Sequence, residues 1–102
     1  MKKTEQLNKK KIMEIIESHK YHIQKYGVKK LGLFGSYAKN SHKKHSDIDF
    51  LVVLDKPTFD NYMGLKFMLE KALHKKIDLV IEQNIKPALK YIKEEAVYAK
   101  GL

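Results

Sequence analysis

The chain has 102 residues, of which 43% are hydrophobic, 32% are charged and none is cysteine. This length and composition predict one domain spanning residues 1–102, and they exclude disulfide scaffolds, thiolate metal sites and cysteine nucleophiles. The net charge of +9 arises from 21 lysines against 12 acidic residues, with no arginine. It favours a polyanionic partner, with a solvated lysine-rich surface as the alternative. No apolar run approaches a membrane span and the N-terminal segment lacks the apolar core of a secretory signal, so we expect a cytoplasmic protein that does not contact membranes.

The first half of the chain predicts a helix, a strand and a turn. Apolar residues at helical spacing indicate a helix over Leu7–Tyr26, ended by Gly27. His19 lies on the apolar stripe of this helix and is expected in or beside the core. A β-type run follows over Val28–Phe34, and one helical turn is expected over Tyr37–Asn40.

The second half alternates strands and helices after a polar loop at residues 41–46. The predicted elements are a buried strand Ile48–Leu54, a helix from Thr58 or Asp60 to His74, a strand Ile77–Ile81 and a helix Ile85–Ala99 with Pro87 in its first turn. This order predicts an α/β (α+β) fold, a small mixed sheet of at least three strands packed by helices. The short connection between the first two strands allows them to run antiparallel.

Three aspartates stand where carboxylates are unusual. Asp47 and Asp49 open one apolar strand and Asp78 lies within another, although Asp is depleted in strands and costly to bury unpaired. Alternation along a strand places Asp47 and Asp49 on the same face, and a neighbouring strand brings Asp78 within reach. Three such charges resist ionisation without a counter-charge, which Mg²⁺ or Mn²⁺ would supply for nucleotidyl transfer. Pairing of these aspartates with lysines, or a role at strand ends, is the alternative.

A second feature is the Gly35-Ser36 pair after the first strand. Backbone N–H groups at the start of a helical turn bind anions, and glycine lets a phosphate approach the backbone. Alone, the pair is typical of an ordinary turn. Its position 11 to 14 residues before the Asp47-x-Asp49 motif favours a nucleotide site.

Residues 35–53, GSYAKNSHKKHSDIDFLVV, resemble the signature of the DNA polymerase beta-like nucleotidyltransferase superfamily. That signature is a Gly-Ser pair after the first strand, a spacer, and Asp-x-Asp at the start of a hydrophobic strand. The SDID segment at 46–49 and a third aspartate in an IDLV strand make the chain similar to the minimal nucleotidyltransferases (MNT). The order of elements agrees over nearly the whole chain.

The resemblance implies the nucleotidyltransferase fold and transfer of a nucleoside monophosphate from a nucleoside triphosphate to a hydroxyl. It assigns metal binding and catalysis to three residues: Asp47, Asp49 and Asp78. It assigns nucleotide binding to four: Gly35, Ser36, Lys39 and Ser46. Lys39-Asn40 stands where many members have Arg-Gly, so the charge is kept but the bidentate fork is lost.

Many MNT proteins are antitoxins that adenylylate a tyrosine of a HEPN-domain ribonuclease toxin. The resemblance therefore implies a Mg²⁺- or Mn²⁺-dependent antitoxin that moves AMP from ATP to a hydroxyl, expected to be tyrosine, of a HEPN-type toxin. The alternative is a non-catalytic nucleotide-binding antitoxin or scaffold that inhibits its partner by binding alone. The lack of arginine counts against a small nucleic-acid-binding protein, and direct nucleic-acid binding is not expected. Three points stay open: the preferred nucleotide, the number of nucleotides transferred, and whether the protein forms homo- or hetero-oligomers.

Two pairs of residues give weaker signals. His42 and His45 flank two lysines and are expected in a solvated turn rather than a metal site. Tyr91 and Tyr98 lie off the apolar stripe of the predicted last helix. They are interpreted either as partner contacts or as residues partly buried against the sheet edge.

Overall fold

The computed structural model describes residues 7–102 and is built on a four-stranded mixed sheet. Residues 1–6, part of the segment predicted to lack a secretory signal, lie outside the described residues. The strands are β1 (Val28–Phe34), β2 (Ile48–Leu54), β3 (Ile77–Ile81) and β4 (Val97–Tyr98). Their order in the sheet is β3-β2-β1-β4, with β1 antiparallel to both neighbours and β2 parallel to β3. The predicted mixed α/β sheet of at least three strands is confirmed, and its first two strands run antiparallel, as their short connection allows.

The helices pack mainly on one side of this sheet. They are α1 (Lys9–Ser18), α2 (Lys20–Gln24), α3 (Gly35–Ala38), α4 (Phe59–Leu73) and α5 (Tyr91–Glu95). Within residues 7–102, none of them has the length and hydrophobicity needed to cross a membrane.

The predicted first helix is divided into two. At the break, the Ser18 hydroxyl donates to the Ile15 carbonyl at 2.7 Å and His19 Nδ1 lies 2.8 Å from the same oxygen. These side chains compete with the backbone for a helical acceptor, and His19 leaves the helical region at φ −107°, ψ 16°. The expectation of one continuous helix over Leu7–Tyr26 is therefore wrong, whereas Gly27 closes the helical region at φ 79° as predicted.

Helix α4 confirms the helix predicted between Thr58 and His74. The Thr58 side chain caps it by accepting a hydrogen bond from the Asn61 N–H at 3.1 Å. Tyr62 on α4 donates its hydroxyl to the Leu79 carbonyl at 2.6 Å. This bond ties the helix to β3, one of the two edge strands.

The core fills the space between the helices and one face of the sheet. Strand β2 presents to it the alternate residues Ile48, Phe50, Val52 and Leu54. Helices α1 and α4 supply Ile12, Ile16, Leu65 and Leu69. Burying side chains of this size stabilises the fold by roughly 1.5–3 kcal/mol each. Because successive side chains of a strand alternate, Asp49 must stand on the opposite face.

The predicted last helix, Ile85–Ala99, is wrong. The chain instead forms 3₁₀ turns at Glu82–Asn84 and Pro87–Leu89, followed by α5 and β4. Lys86 is extended at ψ 150°, because the helical region is disfavoured for a residue that precedes proline. The apolar spacing that suggested one helix is thus divided among several short elements.

Strand β4 completes the far edge of the sheet. Tyr98 pairs with Gly32 of β1, and a Cβ atom at Gly32 would lie only 3.0 Å from the Tyr98 ring. Glycine therefore leaves room for this aromatic side chain. Since β3 and β4 occupy opposite edges of the sheet, residues 82–96 must run from one edge to the other.

Candidate active site

The strand-borne aspartates lie at the start of two parallel strands. Asp49 and Asp78 are register partners across β2 and β3, and Asp47 immediately precedes β2. Asp49 is half-buried, whereas Asp47 and Asp78 are exposed. The structure therefore brings Asp49 and Asp78 together as expected, while the burial that made these residues unusual applies to Asp49 alone.

The Asp49 carboxyl is crowded by the other two. Its pKa is raised from 3.8 to about 6, first by burial and then by repulsion from Asp78 and Asp47; a hydrogen bond with Asp78 acts in the same direction. No lysine ion pair within residues 7–102 involves any of these three aspartates. The described structure thus gives no support to the alternative in which lysines neutralise them.

Gly35 lies directly against the Asp49 carboxylate. Phe34, the residue before it, is the register partner of Asp49 across β1 and β2. Gly35 adopts φ +76°, a left-handed conformation that favours glycine, and a Cβ atom there would collide with Asp49 Oδ2. Glycine is therefore required by the carboxylate as well as by the expected phosphate. Ser36 follows in the first turn of α3.

Lys39 and Ser46, the other two expected nucleotide contacts, each have a partner in the protein. Lys39 Nζ lies 3.2 Å from the Glu95 carboxylate, with both side chains exposed. Ser46 Oγ accepts a hydrogen bond from the Lys43 N–H at 2.8 Å and so closes the turn before Asp47. The Glu95 contact escapes sequence reasoning because it joins distant parts of the chain. In the sequence, only the opposite charges of Lys39 and Glu95 point to this contact.

Residues 9–99 of the chain match the family described as "Nucleotidyltransferase domain". The chain belongs to this family. The resemblance read from residues 35–53 is thereby confirmed, and the aspartates and the Gly35 turn lie within the matched part of this nucleotidyltransferase.

Relatives of this nucleotidyltransferase have similar lengths. A Methanocaldococcus jannaschii protein, provisionally named a protein adenylyltransferase, is 41% identical over 93 residues, covering 85% of this chain and 93% of the relative. The protein adenylyltransferase MntA of Thermococcus cleftensis is 33% identical over 95 residues, covering 90% and 96%.

Solved structures share the fold. One that is provisionally named a minimal nucleotidyltransferase superposes with a TM-score of 0.79 at 25% identity, covering 92% of this chain and 98% of that one. A chain of the complex between tri-AMPylated Shewanella oneidensis HEPN toxin and MNT antitoxin superposes with a TM-score of 0.60 at 20% identity, covering 84% and 70%.

A divalent cation fits the chemistry of the aspartates in this nucleotidyltransferase. They offer oxygen ligands of the kind that Mg²⁺ and Mn²⁺ prefer, and a cation would relieve the repulsion that raises the Asp49 pKa. Among the described residues, however, no three His, Cys, Asp or Glu side chains already stand close enough together to hold a metal ion. The metal-binding role of the three aspartates therefore stays a prediction.

The weaker sequence signals have mixed outcomes. His42 does not lie in a solvated turn: its ring stacks on Tyr37 with centroids 4.0 Å apart, because the loop folds back onto α3. His45 is exposed, as expected. Tyr91 is 51% exposed, whereas Tyr98 is partly buried in β4, so the two tyrosines have different surroundings.

Proposed function

We propose that this nucleotidyltransferase moves AMP from ATP to a tyrosine hydroxyl of a HEPN-type toxin and so acts as its antitoxin. The observation that carries the proposal is the crowding of Asp49 and Asp78 beneath the Gly35 turn. Carboxylates that form no ion pair with a lysine of residues 7–102, beside a turn that lacks a side chain, suit a metal-bound triphosphate. The names of relatives support the rest: one is a protein adenylyltransferase, and one structural neighbour is an AMPylated HEPN toxin with its MNT antitoxin.

In this proposal one or two Mg²⁺ or Mn²⁺ ions would be held by the three aspartates Asp47, Asp49 and Asp78. Bound metal supplies positive charge that neutralises the triphosphate and favours ionisation of the acceptor hydroxyl. The nucleotide is held by Gly35, Ser36, Lys39 and Ser46. A neighbour of the same fold is a toxin-antitoxin structure with AMP-PNP, which supports ATP as the substrate.

The transfer makes one bond and breaks one. The acceptor oxygen attacks the α-phosphorus of ATP, an oxygen–phosphorus bond forms, and pyrophosphate leaves with the electrons of the broken bond. A tyrosine hydroxyl has an ordinary pKa of about 10 and must lose its proton near neutral pH. The exposed Asp78 carboxylate is open to a protein acceptor and takes this proton.

Intact-mass spectrometry of a HEPN-type toxin tests the proposal. The toxin is incubated with ATP, Mg²⁺ and either the wild type, Asp47→Asn/Asp49→Asn or Asp55→Asn/Asp60→Asn. The last variant is a matched control because it removes the same charge from exposed positions elsewhere. Wild type and control should add the mass of AMP to the toxin, and the site variant should add none.

The outcomes separate the possible roles. Transfer by Asp47→Asn/Asp49→Asn at the wild-type rate would remove these residues from catalysis. A wild type that adds no mass but still neutralises the toxin would be a non-catalytic antitoxin that acts by binding. A toxin modified at a serine or threonine would refute the tyrosine acceptor, and peptide mapping identifies the residue.

A further inference from the structure

A cavity lies on the side of the sheet that packs against the helices. Its volume is about 630 Å³, and it opens between α1, the C-terminal end of α4 and the loop at residues 42–44. Two of its lining residues, Tyr37 and Leu73, belong to the core that packs against the helices. The cavity is therefore separate from Asp49 and Asp78, which stand on the other face of the sheet.

The wall of this cavity is apolar and aromatic. Ile15, Ala72 and Leu73 contribute aliphatic surface. Tyr37 and His42 add two stacked rings, with centroids 4.0 Å apart and planes inclined by 12°. His42 Nδ1 is buried and has no hydrogen-bond partner among the described residues, so a polar atom stands unsatisfied beside the wall. Such an atom is costly to leave without a partner.

The mouth of the cavity is positively charged. Lys43, Lys44 and Lys75 contribute three ammonium groups, and none of the described residues lining the cavity is acidic. Lys75 is held in place because its Nζ donates to the Lys44 carbonyl at 2.8 Å and lies 5.9 Å from the centroid of the Tyr37 ring. Positive charges around an apolar space attract an anion that also has an apolar part.

We propose that this cavity binds a small phosphate-bearing ligand with a planar or apolar part, of the size of a mononucleotide. The volume lies within the roughly 300–1,000 Å³ typical of ligand pockets, which combine an apolar lining with a few placed polar groups. An anion bound in this cavity is neutralised by lysines of the protein, so binding there needs no metal ion. An anion bound at the aspartates meets negatively charged carboxylates, so binding there needs a metal ion. A chelator should therefore abolish binding at the aspartates and leave binding in the cavity.

Titration calorimetry in EDTA tests this, with AMP and inorganic triphosphate as probes of the full chain. AMP should bind the wild type and Asp47→Asn/Asp49→Asn equally. Lys43→Gln/Lys44→Gln should weaken AMP binding by about tenfold or more, since two ammonium groups leave the mouth. Lys25→Gln/Lys29→Gln is the matched control, because it removes two exposed lysines that do not line the cavity. Its AMP affinity should stay within about twofold of wild type.

Ala72→Leu adds a second, independent variant. It narrows the cavity without removing charge and should abolish AMP binding while the melting temperature is retained. Equal binding of inorganic triphosphate and AMP would overturn the apolar part of the proposal. Equal losses in both lysine pairs would show non-specific attraction, and AMP binding that disappears only in Asp47→Asn/Asp49→Asn would place the ligand at the aspartates. Either result would overturn the second site. The antitoxin proposal stands or falls separately, on the mass of the toxin.

Discussion

The two faces of β2 differ although they are made by consecutive residues. Ile48 and Phe50 point into the core and are at most 1% exposed, while Asp49 between them points to the other face with a raised pKa. One strand thus places Ile48 and Phe50 in the core and Asp49 at the candidate site on the other face, where Leu51 is also fully buried. Substitutions at neighbouring positions should therefore have separable effects, on stability at Phe50 and on transfer and metal binding at Asp49.

The largest expected effect is on the core face. Phe50→Ala removes a fully buried aromatic ring and should lower the free energy of unfolding by about 3–5 kcal/mol. Denaturant unfolding measures it, with Asp49→Asn, one residue away, as the comparison. A loss below about 1 kcal/mol would mean that the β2 core face is not the one described.

The second-largest expected effect is on the face of the sheet that carries the aspartates, and it concerns the rate of AMP transfer. Asp78→Ala should keep most of the affinity for ATP with Mg²⁺ and lose transfer by several hundredfold, which corresponds to about 3–4 kcal/mol of transition-state stabilisation. Because Asp78 is exposed, the unfolding free energy should barely change. Single-turnover rates measured by toxin mass provide the test, with Asp55→Ala as control. A wild-type rate in Asp78→Ala would leave Asp78 a structural strand residue.

Substitutions at Gly35 and Gly27 distinguish the effect of backbone strain from the effect of contact with the Asp49 carboxylate. Gly35→Val places a side chain against Asp49 and should reduce ATP affinity by at least about tenfold while unfolding stays cooperative. Gly27→Val is the matched control: Gly27 also has a positive φ, but a Cβ atom there meets its nearest atom at an ordinary 3.8 Å. Both variants should lose stability because of the positive φ, and Gly35→Val should lose more because its side chain also collides with Asp49. Equal ATP affinities in the two would show that the phosphates bind elsewhere.

The smallest effect is electrostatic. Because folding raises the Asp49 pKa from 3.8 to about 6, ionised Asp49 disfavours the fold, and stability is lost as pH rises through this window. Allowing for solvent screening, Asp49→Asn should gain about 1 kcal/mol over wild type at pH 8 and nothing at pH 3. The comparison is made in EDTA, with Asp55→Asn as control. A gain that does not depend on pH would contradict the crowding of Asp49 by Asp78 and Asp47.

The elements around the site could be predicted from the sequence because their signals are local. β1, β2, β3 and α4 are marked by short apolar runs, a capping threonine and turn residues. The prediction of the last helix was wrong because Val97 and Tyr98 pair with Leu33 and Gly32 of β1, far away in the sequence. Apolar spacing alone could not reveal that partner.

The same distinction applies to the candidate site. The aspartates were recognisable because Asp in an apolar strand is unusual, and the parallel pairing of β2 and β3 then brings Asp49 and Asp78 together. The collision that any side chain at Gly35 would make with Asp49, and the ion pair of Lys39 with Glu95, depend on the fold. So does the stacking of His42 on Tyr37, which turns a polar loop into one wall of a cavity.

The most direct test of the account is whether the acidic face of β2 binds a metal-bound nucleotide. Melting temperatures are measured for wild type and Asp47→Asn/Asp49→Asn with Mn²⁺ and a non-hydrolysable ATP analogue, each with and without the other. With Mn²⁺ and the analogue together, both far above their dissociation constants, the wild type should melt at least about 5 °C higher than with the analogue alone. The variant should show no such metal-dependent shift. An equal metal-dependent shift in both proteins would contradict the account, because the metal-bound nucleotide would then bind without these aspartates.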